Sequence, residues 1–511
     1  MGLDTDVVSD TLDTLQKALA SPKGMQRIPF PTEIYEHPSL PLSAKKLLNL
    51  MVEQAPKDSR TETPLVSTPG LLPFVSVGTG PILAMNDEMP GMIYVVSGTK
   101  FYRVTFTTGT SRTEATPLAT PVVTLLGDVG TADAGTSPWN SFVTIAAGPT
   151  AAVVCVPPRA YTCTHTGLPN EITDPDWPGA TSVCYVDGYF AFSSLGDTAQ
   201  WFISRLLDPL SFDALDFVFS DAMPNVIRRV VSHREQVWTI GENGFEVWYN
   251  AGSSGLETTP GVSFFPFRRM AGGVVPIGTG SPLSVCKADQ SVFWVGIDGI
   301  AYRSNGYTPK RISTHAIEAI IAGNSVSLDA VTHAYRGHWF YCLTTLDHRT
   351  LVYDVATDKW HERSTSTDGH APWAAWMAAT DNNSLHLFGD RVSGQLYTLY
   401  MQAADAGVTV IRQAVLPPLW AKTRRAFCAR IEIEMEVGGA SVAGPVSLDW
   451  SDDGSRTWKT ARTLATGATG ETRKRVFTTR LGSFRQRTYR LSVHGLCRFY
   501  AMDSDISPGN D

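Results

Sequence analysis

GENGFEVWYNAG, residues 241–252, is a glycine-containing turn followed by a short aromatic strand and another glycine. The strand, residues 245–249, carries large apolar side chains that need a surface to pack against. A turn of this kind beside an apolar, aromatic strand is typical of a β-hairpin. A chain of 511 residues repeats such phrases along much of its length.

The repeated hairpins predict a β-propeller. They begin at intervals of roughly 45 to 55 residues, close to the period of one four-stranded blade. In chain order they are MIYVVSGTKFYRV (from 92), SFVTIAAG (141), VCYVDGYFAFS (183), QVWTIGENGFEVWYN (236), SVFWVGIDGIAYRS (291), HWFYCLTTLDHRTLVYD (338) and SLHLFGDRVSGQLYTLY (384). Blades arranged in a ring cover one another's apolar faces, which no single sheet can do. We therefore expect a mainly β protein with a six- or seven-bladed propeller over residues 75–404.

The N-terminal segment, residues 1–74, is predicted to be a helix followed by an extended arm. Val8, Leu12, Leu15 and Leu19 have helical spacing, which indicates a helix over residues 6–20. The arm contains several prolines and has too few apolar residues for a core of its own. It could therefore pack with the C-terminal domain. Residues 44–53 fit neither the helical nor the strand period cleanly.

The C-terminal segment, residues 405–511, is predicted to be a separate β-domain of sandwich type. ARIEIEMEV, residues 429–437, alternates apolar and acidic residues, as a half-exposed strand does. VSLDWSDDGSRTWKTAR, residues 446–462, contains an Asp-Asp-Gly turn between two strands.

The composition indicates a folded chain that does not wrap nucleic acid. Hydrophobic residues make up 43% and charged residues 18% of the sequence, the opposite of a disordered chain. The formal net charge is −7, whereas a nucleic-acid-wrapping chain is normally basic. Residues 401–511 hold 16 Lys and Arg against 11 Asp and Glu, and the other 400 residues hold 26 against 38. The basic C-terminal part therefore faces an acidic protein neighbour or solvent.

No targeting or membrane segment is expected. The N-terminus carries Asp4 and Asp6 and lacks the apolar core of a secretory signal. No apolar run reaches the length of about 18 residues that a transmembrane helix needs. Seven cysteines without a CxxC pair predict reduced thiols of a protein made in a cytoplasm.

Catalytic motifs are missing from the sequence: it contains no GxSxG, GxxxxGK or HExxH. SDDGSRTW, residues 451–458, resembles the Asp-box hairpin of sialidase-type propellers, in which Asp and Thr side chains satisfy the backbone of a turn. A single copy outside the propeller argues against a sialidase. We expect no enzyme activity, no cofactor and no metal.

Several polar groups have both a chemical and a structural interpretation. Four aspartates could act as paired carboxylates or bind Ca²⁺, but their spacing matches no EF-hand, and an exposed inter-blade loop is favoured: Asp208, Asp213, Asp216 and Asp221. Cys163 and His165 could supply two metal ligands, but the sequence has no second pair nearby. Three further histidines are also interpreted as structural: His333, His338 and His348.

The only basic concentration lies between residues 473 and 490. Guanidinium groups there could contact phosphates, an acidic protein surface or only solvent, and alternation with apolar residues favours one charged face of a strand pair. The candidate interaction residues are Arg473, Lys474, Arg475, Arg480, Arg485 and Arg487.

A set of phrases, in order along most of the chain, resembles the packaged-DNA stabilisation proteins of short-tailed bacteriophages, the tail hub or nozzle family. They are SLPLSAKKLLNLMVEQAP with STPGLLPF (39–56, 67–74), DGYFAFSS (187–194), DPLSFDALDFVFSDAMPN (208–225), GENGFEVWYNAG (241–252), RISTHAIEAII (311–321), LVYDVATDKWHER (351–363), and WSDDGSRTW with LGSFRQRTYRLSV (450–458, 481–493). None is a catalytic signature. Residues 1–30 are longer than the family leads us to expect, and a helix docking onto a neighbouring tail or portal protein is one interpretation.

The resemblance implies a structural virion protein of the phage tail, assembled in the host cytoplasm. Such proteins form a homohexameric tube below the portal and adaptor ring, which retains packaged double-stranded DNA and conducts it on ejection without reading its sequence. The partners implied are further copies, the portal or adaptor protein, and tail fibres or a tail needle. Two alternatives remain: a propeller that recognises a host receptor or carries tail fibres, and, less favoured, a glycan hydrolase.

Overall fold

The computed structural model describes the chain in segments: residues 25–59, 61–108, 119–132, 142–196, 198–222, 225–252, 265–322, 328–380, 385–422, 424–438 and 444–509. The helix expected over residues 6–20 lies outside them. The described helices are the α-helix His315–Ala322 and the one-turn 3₁₀ helix Pro282–Ser284. Nearly all other regular structure is antiparallel β-sheet.

Seven four-stranded antiparallel units, counted over these segments, form the blades of a propeller. Each of the first six is a meander of consecutive strands. From inner to outer strand they are Ile82–Asn86, Met92–Ser97, Lys100–Thr108 and Ala119–Asp128 (blade 1); Thr144–Ala147, Ala152–Val156, Arg159–Cys163 and Asn170–Glu171 (blade 2); Ala180–Val186, Tyr189–Ser194, Gln200–Ile203 and Phe217–Phe219 (blade 3); Ile227–His233, Gln236–Gly241, Phe245–Asn250 and Phe267–Val275 (blade 4); Cys286–Ala288, Ser291–Val295, Ala301–Asn305 and Thr308–Arg311 (blade 5); and Asp329–Tyr335, His338–Thr344, Thr350–Asp354 and Lys359–Arg363 (blade 6).

Alternate side chains of one strand face two different neighbouring blades, which explains the repeated aromatic phrase. In blade 4, Phe245 packs on Trp294 of blade 5, with ring centroids 4.9 Å apart. On the opposite face, Trp248 packs on Trp201 of blade 3, with centroids 5.5 Å apart. All four rings are buried, and such pairs add to the hydrophobic gain from burial. Every blade therefore needs large apolar side chains on both faces.

The apolar interfaces close into a ring. One buried cluster lies between each successive pair of blades from blade 1 to blade 7. A further cluster joins blade 7 to blade 1, with Leu387 and Leu396 packed against Ile93 and Val95. Circular closure covers the apolar faces of every blade with those of its neighbours.

The outer strand of blade 7 comes from the N-terminal segment. Gly70–Ser76 pairs with Gln395–Tyr400, next to the inner strands His386–Asp390 and Ala375–Thr380. The expected boundary between residues 74 and 75 falls inside this strand. The boundary between residues 404 and 405 falls inside a short hairpin. Strand pairing, rather than order along the chain, determines where the propeller ends.

The C-terminal part is a two-sheet sandwich that contains strands from both ends of the chain. One sheet consists of Gln26–Ile28, Leu50–Val52, Leu65–Ser67, Ala426–Met435, Val476–Thr479, Ser483–Phe484 and Arg498–Pro508. The other consists of Tyr35–Glu36, Ala44–Leu48, Arg412–Val415, Leu419–Trp420, Val446–Ser451, Arg462–Leu464 and Gln486–Val493. This second sheet continues the sheet of blade 6, because Leu48 lies beside Glu362 in parallel register.

Residues 44–53, whose sequence period is ambiguous, contain two strands separated by Asn49 at a φ of 54°. The Asn49 side-chain amide donates to the carbonyl oxygens of Ser364 and Ile411, which ties the propeller to the sandwich. Leu47 and Leu50 then both enter the sandwich core, together with Ile28 and Leu65. The N-terminal arm thus completes a core that the C-terminal segment cannot close by itself.

Candidate functional site

An axial cavity of about 320 Å³ lies where the inner strands of all seven blades converge. Inner strands are adjacent around the axis, so every blade contributes to its wall. The wall is partly apolar and carries charged side chains from three blades: Asp87, Glu88, Arg229 and Lys287.

One end of this cavity is bridged by side chains from opposite blades. Glu88, in the turn after the inner strand of blade 1, accepts a hydrogen bond from Ser232 of blade 4 at 3.3 Å. The same carboxylate lies 3.9 Å from the Lys287 ammonium of blade 5 and accepts from the Ala147 backbone N–H of blade 2 at 3.1 Å. The neighbouring Asp87 accepts from the Thr380 N–H of blade 7 at 2.6 Å. The axis is therefore closed by contacts across it.

The deeper wall of the cavity holds a guanidinium and two thiols. Arg229 donates to the carbonyl oxygens of Pro282 and Val285, both at 3.1 Å. Burial raises the pKa of the Cys286 thiol to about 12, and burial also raises the pKa of Cys184. Both thiols are accordingly protonated near neutral pH and poorly nucleophilic. These groups organise the wall of the cavity and provide no activated nucleophile.

The predicted basic residues have different surroundings in the sandwich. Arg475 makes two hydrogen bonds of 2.6 Å to Glu432, and Lys474 pairs with Glu471 at 3.5 Å. Arg473, Arg480 and Arg485 are exposed.

Arg487 is buried, which contradicts its selection as an interaction residue. Its guanidinium donates to both Asp452 carboxylate oxygens, at 2.6 and 3.0 Å, and to the Leu481 carbonyl oxygen at 2.8 Å. The guanidinium also lies 4.5 Å from the centre of the Phe484 ring, where cation–π attraction adds to the ion pair. Its role is to hold the sandwich together.

The Asp-box-like hairpin is a turn held by its own side chains. Asp453 accepts from the backbone N–H groups of Arg456 and Thr457 and from the Ser451 hydroxyl, and hydrogen bonds from Thr457 and Ser451 lower its pKa. Burial tends to raise the pKa of Asp452, but Arg487 and Lys459 hold it below its usual range. Both carboxylates are thus engaged in local structure.

The aspartates of the blade 3 loop are also engaged locally. Arg205 pairs with Asp213 at 2.5 Å and with Asp216 at 3.6 Å. Asp208 caps the Leu210 backbone N–H at 3.0 Å. Asp221 pairs with Arg269 of blade 4 at 3.2 Å. Contrary to the expected exposed inter-blade loop, Asp208, Asp213 and Asp216 lie within blade 3, between its third and fourth strands, and Asp216 is buried. Only Asp221 follows the fourth strand, in the connection to blade 4.

Two family models cover most of the chain. A phage-stabilisation model described as bacteriophage P22 Gp10, β-propeller, matches residues 43–404. A model described as bacteriophage P22 Gp10, β-sandwich, matches residues 411–506. The chain belongs to this family. Its two modules confirm the expected propeller and C-terminal sandwich and the resemblance seen in the sequence, and they make the chain a structural bacteriophage protein.

Solved structures resemble the chain at low identity. They include the computationally designed Ika8 protein (10% identity, 65% of this chain and 99% of that chain, TM-score 0.37), the extracellular domain of the one-component system BT4673 from B. thetaiotaomicron (8%, 84% and 58%, TM-score 0.40), and PorZ from Porphyromonas gingivalis (10%, 70% and 44%, TM-score 0.37). The chain thus spans 58% and 44% of the length of the last two. The comparison with curated proteins finds no match.

In this member of the phage-stabilisation family, His165 and His333 have structural surroundings, whereas His348 is exposed in a turn. His165 contacts the Tyr94 hydroxyl and the Pro149 carbonyl oxygen, and Cys163 is a buried thiol. Burial lowers the pKa of His333, which is therefore neutral. Within the described segments, no three His, Cys, Asp or Glu side chains gather as a metal site would require.

His338 connects blade 6 to the N-terminal arm. Its Nδ1 lies 2.8 Å from the Asp354 carboxylate and its Nε2 lies 3.5 Å from the Glu53 carboxylate. The hydrogen bond to Asp354 raises the pKa of His338 despite partial burial.

Sequence reasoning missed the closure of the axis by Asp87 and Glu88. The only local signal is a polar run, residues 86–88, which begins at the last residue of the strand Ile82–Asn86. No described helix combines the length and the apolar composition needed to span a bilayer.

Proposed function

We propose that this chain is a structural component of a short-tailed phage tail, located in the virion tail and assembled in the host cytoplasm. Several copies, six by the family resemblance, form a nozzle or hub tube that retains packaged DNA and conducts it on ejection. The match of both modules to the phage-stabilisation family carries this proposal.

The closed axis of the propeller supports a channel between chains rather than through one chain. The Glu88 carboxylate contacts Ser232 at 3.3 Å and lies 3.9 Å from Lys287 of the opposite blades. A duplex whose major groove alone is about 12 Å wide cannot pass through such contacts. DNA conduction therefore requires a tube whose wall is made of several propellers.

The proposed partners are further copies, the portal or adaptor protein, tail fibres or a tail needle, and DNA in passage without sequence-specific contacts. The net charge of −7 suits a wall past which DNA slides, because basic walls bind phosphate through counterion release. We propose no catalytic role, since the acidic groups considered for one are used in ion pairs and turns.

Electron microscopy of the purified chain tests the proposal. Class averages should contain rings with a central hole. Neither Glu88→Ala nor Lys287→Ala should widen this hole, because it lies between chains and not along the axis of one propeller. A chain that stays monomeric at high concentration, or rings without a hole, would contradict the nozzle.

Three exposed aliphatic side chains favour a second role in carrying tail fibres or binding a receptor. Ile297, Leu346 and Val392 occupy the turn between the second and third strands of blades 5, 6 and 7, and they are 59%, 54% and 80% exposed. Adjacent apolar groups on one rim are typical of a docking surface. Substituting all three by Asp should abolish capture of purified tail fibre or host envelope and leave the ring intact. Capture unaffected by these changes would exclude this rim as the docking surface.

A further inference from the structure

Acidic residues concentrate on one blade. Residues 164–221 hold nine Asp and Glu against a single Arg, whereas the whole chain of 511 residues has a net charge of only −7. This segment covers the outer edge of blade 2, the connection to blade 3 and nearly all of blade 3. The rest of the chain is therefore close to neutral, and the charge is strongly polarised.

The "acidic blade surface" consists of the exposed residues Asp176, Asp187, Leu206, Leu207, Asp208, Leu210 and Leu215. The Leu207 N–H donates to the Gly188 carbonyl oxygen at 2.8 Å, which holds the loop against the turn that carries Asp187. The Phe212 N–H donates to Asp174 at 3.4 Å and anchors the same loop to the segment that carries Asp176. The one cation, Arg205, is already paired with Asp213 and Asp216.

Exposed leucines accompany these acids. Leu206, Leu207, Leu210 and Leu215 are 57%, 50%, 47% and 80% exposed, within ten residues of chain. A soluble chain rarely leaves several large aliphatic side chains together in water unless another surface covers them. The acidic blade surface thus combines exposed apolar and charged side chains, as protein interfaces do.

The sandwich carries a surface of the opposite kind. Its "basic edge" consists of five exposed cations and three exposed aromatic residues: Lys422, Arg424, Arg462, Arg480, Arg485, Trp420, Phe427 and Phe477. Among the described residues, no carboxylate forms a salt bridge with any of the five cations.

Backbone contacts bring the basic edge together. Arg462 donates to the carbonyl oxygen of Arg480 at 3.3 Å, and the Ala421 N–H donates to that of Arg485 at 2.8 Å, which places Lys422 beside Arg485. Phe427 lies opposite Ser483 and Trp420 lies opposite Gln486. Aromatic and arginine side chains are the residues enriched in interface centres.

The two surfaces belong to different parts of the chain, because the sandwich is attached to the propeller across the ring from blade 3. The sandwich continues blade 6 through Leu48 beside Glu362, and the N-terminal segment passes directly from the sandwich into blade 7. In the ring, blade 3 is three blades away from blade 6 in one direction and three blades away from blade 7 in the other. Complementary surfaces on different parts of one chain favour head-to-tail contact, which forms a closed ring when successive rotations add to a full turn.

We infer that the basic edge of one copy docks on the acidic blade surface of the next copy. This inference rests on the proposed oligomeric tube and names the surfaces that build it. Cations and carboxylates that form no salt bridge among the described residues face each other, and exposed aromatic side chains cover exposed leucines. A second copy is favoured over DNA as the occupant of the basic edge, because every chain carries an acidic surface with exposed leucines that match both the cations and the exposed aromatic residues.

Charge reversal tests the contact in the full-length chain. One variant carries Asp176→Lys with Asp208→Lys, a second carries Arg424→Glu with Arg485→Glu, and a third combines all four changes. These positions are exposed and have no positive φ, so the fold should tolerate the changes, as thermal unfolding can verify. Lys57→Glu with Glu62→Lys, both exposed on the arm, is the matched control.

Sedimentation velocity should find self-association weakened more than about tenfold in each of the first two variants, because like charges then face each other. The third variant should recover to within about threefold of wild type, since its surfaces are again complementary. The control should match wild type. In mixed ¹⁴N- and ¹⁵N-labelled samples, carbodiimide should crosslink Lys422 of one copy to Asp208 or Asp176 of another.

Each other outcome has a definite meaning. If wild type assembles and the first two variants assemble equally well, this contact is overturned and the oligomeric tube stands. If both variants lose assembly and the third does not recover, the surfaces do not pair with each other and the inference is also overturned. If wild type is monomeric at every concentration, the tube itself fails and the inference fails with it.

Discussion

The propeller and the sandwich are both β-structure, but their paired strands differ in how far apart they lie in the sequence. Each of the first six blades is a meander, in which every strand pairs with the strand before or after it in the sequence. The sandwich instead pairs Gln26–Ile28 with Arg498–Pro508 and Ala44–Leu48 with Arg412–Val415, from opposite ends of the chain. Damage to a blade should therefore remain near that blade, whereas damage to the sandwich should release both chain ends together.

The largest effect should come from placing a charge in the sandwich core. Leu65 is fully buried among residues from both ends of the chain. Leu65→Asp should cost more than about 4 kcal/mol of unfolding free energy, because a buried carboxylate has lost its hydration. Hydrogen exchange should find amide protection lost over residues 26–67 and 411–508 together.

Two matched variants sharpen this comparison. Leu42→Asp, at a position 62% exposed, should leave amide protection unchanged. Val247→Asp, in the interface between blades 4 and 5, should remove protection there and leave the sandwich protected. Equal loss throughout the chain after Val247→Asp would mean that propeller and sandwich unfold as one unit.

Arg487→Ala should give the next largest effect. The change leaves Asp452 without its bidentate partner and the Leu481 carbonyl oxygen without its donor, at a cost of about 3–5 kcal/mol. Arg485→Ala, two residues away and exposed, should change the free energy of unfolding by less than about 0.5 kcal/mol. Urea denaturation measures both, and similar losses in the two variants would refute the assigned structural role of Arg487.

The smallest effect should occur at the junction, where His338 of blade 6 faces Glu53 of the arm. Because its folded-state pKa is raised, the stability that His338 contributes is complete below its unfolded pKa of about 6.5 and is lost as pH rises through the folded value. His338→Gln should therefore cost about 1 kcal/mol at pH 6 and less at pH 9. His370→Gln, at an exposed position, is the control. A cost of His338→Gln that does not change with pH would contradict the ion-pair assignment.

Sequence patterns predict the propeller well and its boundaries poorly. The strand that carries Phe245 and Trp248 could be predicted because its aromatic residues and flanking glycines are close together in the sequence. The spacing of the hairpins could be predicted because each blade needs a similar number of residues. Gly70–Ser76 gives no sign of joining blade 7, because its partner strand lies more than 300 residues later. The strands of the N-terminal arm could not be predicted either, since each is short and is buried only by strands that lie far away in the sequence.

The candidate site illustrates the same limit for polar groups. Arg485 and Arg487 lie two residues apart in the same basic segment and are chemically identical. Only Arg487 is enclosed by Asp452 and Phe484. Glu88 reaches Ser232 only after the ring has closed. Local charge patterns could identify a basic segment, but only the three-dimensional structure shows which cations remain available to a partner.

The pairing of Gly70–Ser76 with Gln395–Tyr400 has a consequence for biosynthesis. A ribosome adding about 5–20 residues per second needs on the order of 15–65 s to make the chain between these strands. During that interval the first strand has left the exit tunnel without its partner, and its backbone N–H and C=O groups are exposed to other nascent chains. Folding of this protein should therefore be most vulnerable to misassembly during translation, and slower elongation should lengthen that risk.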